Sequence, residues 1–396
     1  MTKRTSPLIK IGDFAWPVSA RADSECELPV YAVTKHEGMV PSAEYFKKQV
    51  HSRNLDGYKV VERGQFGYAT IHLDEGSIGV LDTAERCIIS PMYTVFEVDE
   101  NRVHAPYLLR LLKSPWALSH YATMGSGSVH RRRSISFETL SRLSVPLPDL
   151  MEQRSIAVIL DKAVSLRRKR REAIRLNDEF LRAVFVDIFG DPETNPKSFP
   201  KGTIRDLVSS ANYGTSEKAN EQTGQYPILR MNNITYEGGW DFSSLKYVDL
   251  DEASSHKYMA KKGDLLFNRT NSKELVGKTA VFMRDEPMAI AGYLVRVRMN
   301  GRGNPHYVSG YLNSTHGKRT LEARAKSIVG MANINAQEMQ DIPLLIPPIE
   351  LQDKYARICE AINVRLKTQQ TFFHEAVELH SALSHKFFGP TDIEEK

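Results

Sequence analysis

The triplet Gly277-Lys278-Thr279 is the part of the chain whose residue types come nearest to nucleotide chemistry. A phosphate-binding loop has the pattern Gly-x-x-x-x-Gly-Lys-Ser/Thr, in which backbone amides and the lysine hold the phosphates. Ser272 stands where that pattern needs its first glycine. The glycine-rich residues 125–130 similarly lack the last glycine of a dinucleotide-binding turn. We therefore predict that the chain binds no nucleotide cofactor.

Residues that could bind a metal or act as a nucleophile are also not spaced for catalysis. None of the twelve histidines belongs to an HExxH motif or another close metal-ligand pair. Cys26, Cys87 and Cys359 form no CxxC pair, so neither a disulfide framework nor a cysteine-rich zinc site is indicated. The sequence has no nucleophile elbow and no Asn-Pro-Pro-aromatic segment of the type that holds a flipped base. These observations predict a binding subunit without metal or cofactor, with an enzyme as the weaker alternative.

The composition is that of an ordinary globular protein of 396 residues, of which 41% are hydrophobic and 26% are charged. No apolar run approaches the ~18 residues that suggest a membrane span, and the N-terminus lacks the apolar core of a signal peptide. The formal net charge of +5 is mildly basic and does not by itself establish nucleic-acid binding. We expect a cytoplasmic protein.

A repeat with an offset of 199 residues organises the chain. Residues 143–153 (LSVPLPDLMEQ) correspond to residues 342–352 (IPLLIPPIELQ). Each segment opens a long charged stretch that ends in Phe-Gly, at Phe189-Gly190 and again at Phe388-Gly389. The repeat predicts two copies of one arrangement, in which a globular segment is followed by a charged segment.

Both charged segments have the alternating three- and four-residue spacing that is typical of a coiled-coil helix. Asp149 is the predicted N-cap of the first helix, and Gly190 and Gly389 are predicted left-handed C-caps. Forty helical residues span ~60 Å, which rarely fits inside one small domain, so we expect the two helices to pack antiparallel. Two independent core helices are the alternative. The predicted seams are Ile156, Ile159, Ala163, Leu166, Arg170, Ala173, Asn177, Phe180 and Val184, and Tyr355, Ile358, Ile362, Arg365, Gln369, Phe372, Ala376, Leu379 and Leu383.

Several segments, in this order, resemble the specificity (S) subunit of Type I restriction-modification enzymes. Residues 143–153 match the start of that family's spacer helix, and residues 189–192 (FGDP) match its end. Residues 227–234 (PILRMNNI) and 263–270 (GDLLFNRT), followed by VGK at residues 276–278, match segments of its recognition domain. The resemblance covers essentially the whole chain.

The first half departs from the family pattern, because Gly67-Tyr68 stands in place of an Arg-Thr strand. The second spacer has Leu351-Gln352 instead of Glu-Gln. Differences of this kind fit recognition domains that read different sequences.

Short β-like runs alternate with short helical runs in both globular segments, which predicts an α+β fold. Together with the resemblance, this implies two strand-rich globular target-recognition domains separated by two long antiparallel spacer helices, with an internal pseudo-twofold repeat. The predicted domains are target-recognition domain 1 at 1–147, the central spacer helix at 148–190, target-recognition domain 2 at 191–346 and the C-terminal spacer helix at 347–396.

The resemblance implies a non-catalytic DNA-recognition subunit. Each globular domain would read one half of a bipartite double-stranded site, while the helices set the spacer and dock two methyltransferase (modification) subunits. Those subunits would use S-adenosylmethionine, and restriction subunits would add ATP-driven translocation and cleavage. There are two alternatives. The chain could be a recognition subunit of a related two-part restriction or phage-defence system, or a coiled-coil scaffold that binds protein.

Candidate DNA contacts follow from what DNA presents, because phosphates attract Arg and Lys while base edges bond Arg, Asn, Gln, Ser and Thr. The basic loop at residues 126–133 is the first-half candidate, and its counterpart lies at residues 324–333. The predicted contacts are Ser126, Ser128, His130, Arg131, Arg132, Arg133, Arg230, Asn232, Asn233, Asn268, Arg269, Thr270, Asn271, Lys326 and Asn333.

Overall fold

A computed structural model describes residues 6–23, 26–46, 52, 54–125, 134–328 and 331–389, with side chains at all of these except 253–254 and 326–328. The chain divides into two compact units. Unit 1 holds Met1–Arg170 and Phe372–Lys396, and unit 2 holds Arg171–Thr371. Within the described ranges, no helix is both long enough and apolar enough to cross a membrane.

Unit 1 consists of short strands and helices. The strands are β1 (Leu8–Lys10), β2 (Ala15–Val18), β3 (Tyr31–Thr34), β4 (Gly38–Pro41), β5 (Lys59–Glu62), β6 (Phe66–Ala69), β7 (Ile78–Val80), β8 (Arg86–Ile89), β9 (Tyr93–Val98) and β10 (Ser144–Pro146). The helices are α1 (Ser42–Tyr45), α2 (Ala105–Leu112), α3 (Pro115–Met124), α4 (Phe137–Ser141) and the first part of α5 (Leu150–Phe189).

The sheets of unit 1 are antiparallel. Strands β2, β9, β6 and β7 form a four-stranded sheet in that order, and β3–β4, β5–β8 and β1–β10 form two-stranded ribbons. The main core gathers Phe66, Phe96 and Tyr107 with Ile156 of α5. Since Ile156 lies in the second turn of α5, burial in this core fixes the start of the long helix.

Unit 2 has the same kinds of element. Its strands are β11 (Lys201–Thr203), β12 (Val208–Tyr213), β13 (Tyr226–Leu229), β14 (Lys246–Val248), β15 (Met259–Ala260), β16 (Leu265–Asn268), β17 (Thr270–Asn271), β18 (Thr279–Val281), β19 (Met288–Ile290), β20 (Leu294–Met299), β21 (Lys326–Ile328), β22 (Met331–Asn333) and β23 (Pro343–Leu345). Besides the rest of α5, its helices are α6 (Glu252–Tyr258), α7 (Pro305–Asn313), α8 (Thr315–Arg324), α9 (Ala336–Gln340) and the first part of α10 (Ile349–Phe388).

Strands β12, β20, β16 and β18 form the antiparallel sheet of unit 2 that corresponds to the four-stranded sheet of unit 1. A second sheet, β14-β13-β19-β15, contains one parallel pair, β13 with β19. The third sheet, β17-β22-β21, and the β11–β23 ribbon complete the unit. Its main core joins Phe267 and Tyr307 to Phe185 of α5 and Tyr355 of α10.

The predicted repeat and the α+β fold class are confirmed. Strand β6 occupies the same place in its sheet as β16, which begins 199 residues later. A buried tyrosine of α2 and one of α7 also make the same bond: Tyr107 Oη donates to Pro146 O at 2.7 Å, and Tyr307 Oη donates to Leu345 O at 2.6 Å. The two halves therefore share sheet order and details of side-chain bonding.

The ends of the two 40-residue helices follow from local sequence. Asp149 Oδ1 accepts a hydrogen bond from Glu152 N–H at 2.9 Å, which is the predicted N-cap of α5. Gly190 has a φ of 78°, as a left-handed C-cap requires. The same prediction is wrong for Gly389, which is not left-handed and whose N–H continues the helical pattern by bonding His385 O at 2.7 Å.

The helices run antiparallel within each unit, as predicted. In unit 2, Asn177 Nδ2 donates to Gln369 Oε1, and Phe185 packs edge-to-face on Tyr355 with ring centroids 5.5 Å apart. Since the chain positions rise in α5 while they fall in α10, these segments are antiparallel. In unit 1, the end of α10 reaches the core that holds the start of α5.

Three residues predicted for the helix seams are wrong, because in each case the next residue along the chain is the more buried one. Ile159 and Phe180 are exposed, whereas Leu160 is buried and Leu181 is half-buried. In α10, Cys359 is buried in place of Ile358, which is a shift in the same direction. Apolar residues occur in adjacent pairs at these points, and packing against the globular cores selects the later member.

Candidate nucleic-acid interface

Four predicted contacts lie consecutively in unit 2, where β16 continues into β17. Asn268 is fully buried; its N–H donates to Lys278 O, and its O accepts from Gly277 N–H, both at 2.8 Å. Its Oδ1 also accepts from Thr270 N–H at 3.3 Å. These bonds fix the backbone on both sides of Arg269, which is half-exposed between two buried neighbours.

The small sheet β17-β22-β21 brings four of the predicted contacts together. Thr270 lies opposite Asn333, Asn271 lies opposite Ala332, and Lys326 pairs with Asn333 from the other side. Thr270 Oγ1 donates to Asn333 Oδ1 at 3.1 Å. Thr270, Asn271 and Asn333 thus form a polar group on one surface element, to which Lys326 belongs by its backbone.

The guanidinium of Arg269 stacks on the ring of Tyr213, which is not among the predicted contacts. Arg269 Cζ lies 4.9 Å from the ring centroid of Tyr213, and Tyr213 Oη accepts from Ala336 N–H at 3.0 Å. Among the described residues, no carboxylate lies within 4 Å of the guanidinium, so its charge is unneutralised there. Stacking of this kind stabilises an arginine in one orientation. Tyr213 is distant from Arg269 in sequence, so no local spacing signals the pair.

The remaining second-half candidates lie after β13, which belongs to a different sheet. Asn233 is buried; its Oδ1 accepts from Arg230 N–H at 2.8 Å, and its Nδ2 donates to Asp241 O at 2.9 Å. Its amide therefore supports the turn, as that of Asn268 does. Arg230 is half-exposed and Asn232 is exposed, so these two present polar atoms to solvent.

The first-half candidates Ser126, Ser128, His130, Arg131, Arg132 and Arg133 lie outside the described residues. The chain before them is helix α3, and after them Ile135 N–H donates to Thr70 O at 2.9 Å. The side chain of Lys326 is likewise outside the description.

A buried charge network supports the sheet beneath this surface. Arg298 Nε donates to Asp264 Oδ1 at 2.8 Å, and Arg296 Nη1 donates to Met259 O at 2.6 Å. Burial lowers the pKa of the Arg296 guanidinium, whereas the hydrogen bond to Asp264 raises the pKa of Arg298. These charges are used within the fold, where they tie β20 to Asp264 before β16 and to Met259 of β15.

A cavity of about 790 Å³ in unit 2 is bounded by α5, α7, α10 and the loop before Phe242. Its apolar lining includes Phe185, Trp240, Phe242, Met283, Tyr355 and Leu366. Asp178, Arg182, Arg284 and Lys367 add charges to the same wall. This mixture fits a protein segment better than a nucleic acid, because the apolar surface is large and the charges have both signs.

The described residues offer little reactive chemistry. They contain no group of three or more His, Cys, Asp or Glu side chains placed to hold a metal ion. Burial raises the pKa of the Cys87 thiol to about 12 and that of the Cys359 thiol to about 11, so both stay protonated near neutral pH. The surface near Arg269 is suited to binding a polar, negatively charged partner.

Comparison with known proteins identifies the class of domain to which this geometry belongs. The family model described as the Type I restriction modification DNA specificity domain matches residues 196–371. This stretch contains both the small sheet and Arg269. Residues 196–371 are therefore similar to a DNA specificity domain of the Type I restriction-modification kind.

Two curated relatives extend the likeness beyond that domain. The Type I restriction enzyme EcoKI specificity subunit of Escherichia coli (strain K12) is 22% identical over 279 residues, which are 66% of this chain and 59% of the relative. The putative type I restriction enzyme MjaX specificity subunit of Methanocaldococcus jannaschii is 28% identical over 166 residues, which are 41% of this chain and 39% of the relative. The chain thus matches less than two thirds of the length of either relative.

Two solved structures share the fold over nearly the whole chain. The Type-I restriction-modification system S subunit from M. genitalium aligns with a TM-score of 0.60 at 12% identity, covering 97% of this chain and 96% of that one. A structure described in terms of complex assembly and conformational transition of the type I R-M system aligns with a TM-score of 0.55 at 15% identity, covering 98% and 99%. The chain is similar to Type I restriction enzyme specificity subunits, so the predicted resemblance is confirmed.

Proposed function

We propose that this chain is the DNA sequence-recognition subunit of a Type I restriction-modification system and has no catalytic activity of its own. The observation that carries the proposal is the match of residues 196–371 to a DNA specificity domain whose sheet order recurs in unit 1. Two domains of one fold on one chain suit a site with two separately read halves. The chain would act on double-stranded DNA in the cytoplasm.

We keep the domain limits predicted from sequence, with recognition domains at 1–147 and 191–346 and spacer helices at 148–190 and 347–396. The helices would set the distance between the half-sites. Two methyltransferase subunits would dock beside them, and exposed apolar side chains on α5 and α10, such as Val158, Val186, Val364 and Val377, support a protein partner there. Restriction subunits would join this complex.

The DNA contacts of unit 2 are proposed at the half-exposed or exposed members of the predicted set. Arg269, held on Tyr213, is suited to a guanine edge or a phosphate, because its fork of donors is oriented before DNA arrives. Asn271 and Asn333 are suited to base edges. In unit 1 the basic residues 131–133 are proposed to contact phosphates.

Methylation-site mapping in a host that carries the chain with its modification subunits tests this function. We expect one bipartite motif, with two specified halves separated by an unspecified spacer. Replacing residues 191–346 by the corresponding part of another specificity subunit should change one half only. A contiguous motif, or a motif whose two halves both change, would contradict the proposal. Failure to retain any duplex DNA would favour a protein-binding scaffold.

A further inference from the structure

A cleft of about 310 Å³ in unit 2 gathers basic side chains outside the predicted contacts. It is lined by Lys273 of the loop after β17, Arg182 of α5, and Lys318 and Arg319 of α8. Lys318 Nζ lies 4.3 Å from the ring centroid of Tyr236 and donates to Tyr236 O at 2.9 Å. Among the described residues, none of the four basic groups has a carboxylate within 4 Å, so their charges are not used in ion pairs there.

Lys278 follows the lining residue Val276 by two positions and is a mostly buried lysine. It is only 7% exposed, and its ammonium has no hydrogen bond or ion pair within the described part of the chain. Burial lowers its pKa, and its charge adds to the desolvation that lowers the pKa of Lys318 to about 8. Its positive charge therefore adds to the potential that an anion in the cleft would meet.

The acidic groups of the cleft leave room for such an anion. Glu274 is engaged in its own loop, where hydrogen bonds with its own backbone and with Ser272 lower its pKa. Glu322 also lines the cleft, and Glu237 acts electrostatically on Lys318. All three lie more than 4 Å from the basic groups, so each lysine retains free donor capacity.

The cleft is connected to the proposed DNA surface by the loop that follows β17. Lys273 follows Asn271 of β17 by two residues, and Leu321 of α8 packs against Gly277, so the loop that carries Lys273 lies on α8. Phosphate contacts commonly flank base contacts and fix the register of a protein on the duplex. An anion beside the small sheet would therefore be a backbone phosphate of the DNA that the sheet contacts.

We propose that this cleft binds a phosphate group of the DNA backbone through Lys318, Lys273 and Arg319, which line it. The proposal rests on the proposed DNA-recognition function and adds to it a site that does not depend on sequence. Because phosphate contacts release counterions, each one lost should reduce the slope of log affinity against log salt by about 0.9.

The test measures binding of the full chain to a mixed-sequence duplex between about 50 and 200 mM KCl, a range over which phosphate contacts dominate. The variants are Lys318→Met, Lys273→Met and, as a matched control, Lys201→Met, an exposed lysine of β11 in the same unit. We expect Lys318→Met and Lys273→Met to bind about tenfold more weakly with a smaller salt slope, and Lys201→Met to behave as wild type.

A second arm titrates the same proteins with inorganic phosphate and follows thermal unfolding. Unchanged salt slopes for both cleft variants, with wild type still binding duplex, would overturn the inference and leave the proposed function standing. A second outcome would also overturn the inference: phosphate stabilises wild type but not the variants, while the variants bind duplex as wild type does. The cleft would then bind a free anion and not a phosphate of DNA. Absence of duplex binding by wild type itself would count against the proposed function as well.

Discussion

Gln153 and Gln352, 199 residues apart, make the same three hydrogen bonds in their own units. Gln153 Oε1 accepts from His104 N–H at 2.8 Å, and its Nε2 donates to Arg102 O and Pro148 O at 2.9 and 2.8 Å. Gln352 bonds Asn304 N–H, Arg302 O and Pro347 O at 2.9, 3.1 and 2.8 Å. Both side chains are fully buried. Each glutamine ties the start of a long helix to the turn before α2 or α7.

Replacing Gln352 by alanine should lower the free energy of unfolding by about 2–4 kcal/mol, because three buried backbone groups lose their partner together. Gln153→Ala should have a similar effect in unit 1. Urea unfolding of the full chain measures both, with the exposed Gln222→Ala as the control. A loss no larger than that of the control would show that water replaces the amide.

The Asn177–Gln369 bond should contribute more to helix register than to stability. Asn177→Ala should lower the free energy of unfolding by about 1 kcal/mol, since a buried hydrogen bond is lost. Replacing both residues by leucine should raise it, because paired polar groups in a seam are often less stable than apolar ones. A double-mutant cycle by urea unfolding measures the coupling, and the idea fails if the double variant is the least stable of the set.

Tyr213 should matter to DNA binding through its ring and not through its hydroxyl. Tyr213→Ala removes the surface on which Arg269 stacks, and we expect about three- to fivefold weaker duplex binding from a loss of ~0.5–1 kcal/mol. Tyr213→Phe keeps the ring and loses only the bond from Ala336 N–H, so it serves as the matched control. Fluorescence anisotropy on the mapped target measures both, and equal affinities for the two variants would argue against the stacking role.

His306 should make unit 2 sensitive to acid. Burial lowers its pKa below that of an unfolded chain, although Glu360 Oε1, 3.8 Å from Nε2, acts in the opposite sense. The unfolded chain therefore binds the proton more readily. The stability contributed by neutral His306 is complete above the unfolded pKa of about 6.5 and declines as pH falls below it, by at most ~1.4 kcal/mol per unit.

The comparison of wild type with His306→Gln across pH 5 to 8 isolates this contribution. The variant should lose less stability than wild type on acidification, as followed by urea unfolding at each pH. Parallel pH profiles for the two proteins would show that another group controls the acid response.

Sequence alone predicted the features that depend on local chemistry. Asp149 and Gly190 mark helix ends because a cap needs only its nearest neighbours. The predicted seam was off by one residue at Ile159-Leu160 and Phe180-Leu181, because both members of each pair are apolar. Packing with residues that are distant in sequence decides which member is buried.

The candidate site was predictable in part for the same reason. Thr270 and Asn333 are polar residues of plausible type, and the fold brings them together. Asn233 and Asn268 have the same side-chain chemistry but are buried to support the backbone, which their types do not reveal. Tyr213 could not be found, since only the folded sheet brings its ring to Arg269.

The division into units has a consequence for synthesis of the protein. Unit 2 is one continuous stretch, Arg171–Thr371, whereas unit 1 is assembled from two stretches that flank it. Phe388 is 2% exposed and packs on Tyr107 with ring centroids 5.6 Å apart, so the core of unit 1 needs a residue that is translated after all of unit 2. The half that is translated first is therefore completed last, and a nascent chain cut short within α10 would leave the apolar core of unit 1 open to solvent.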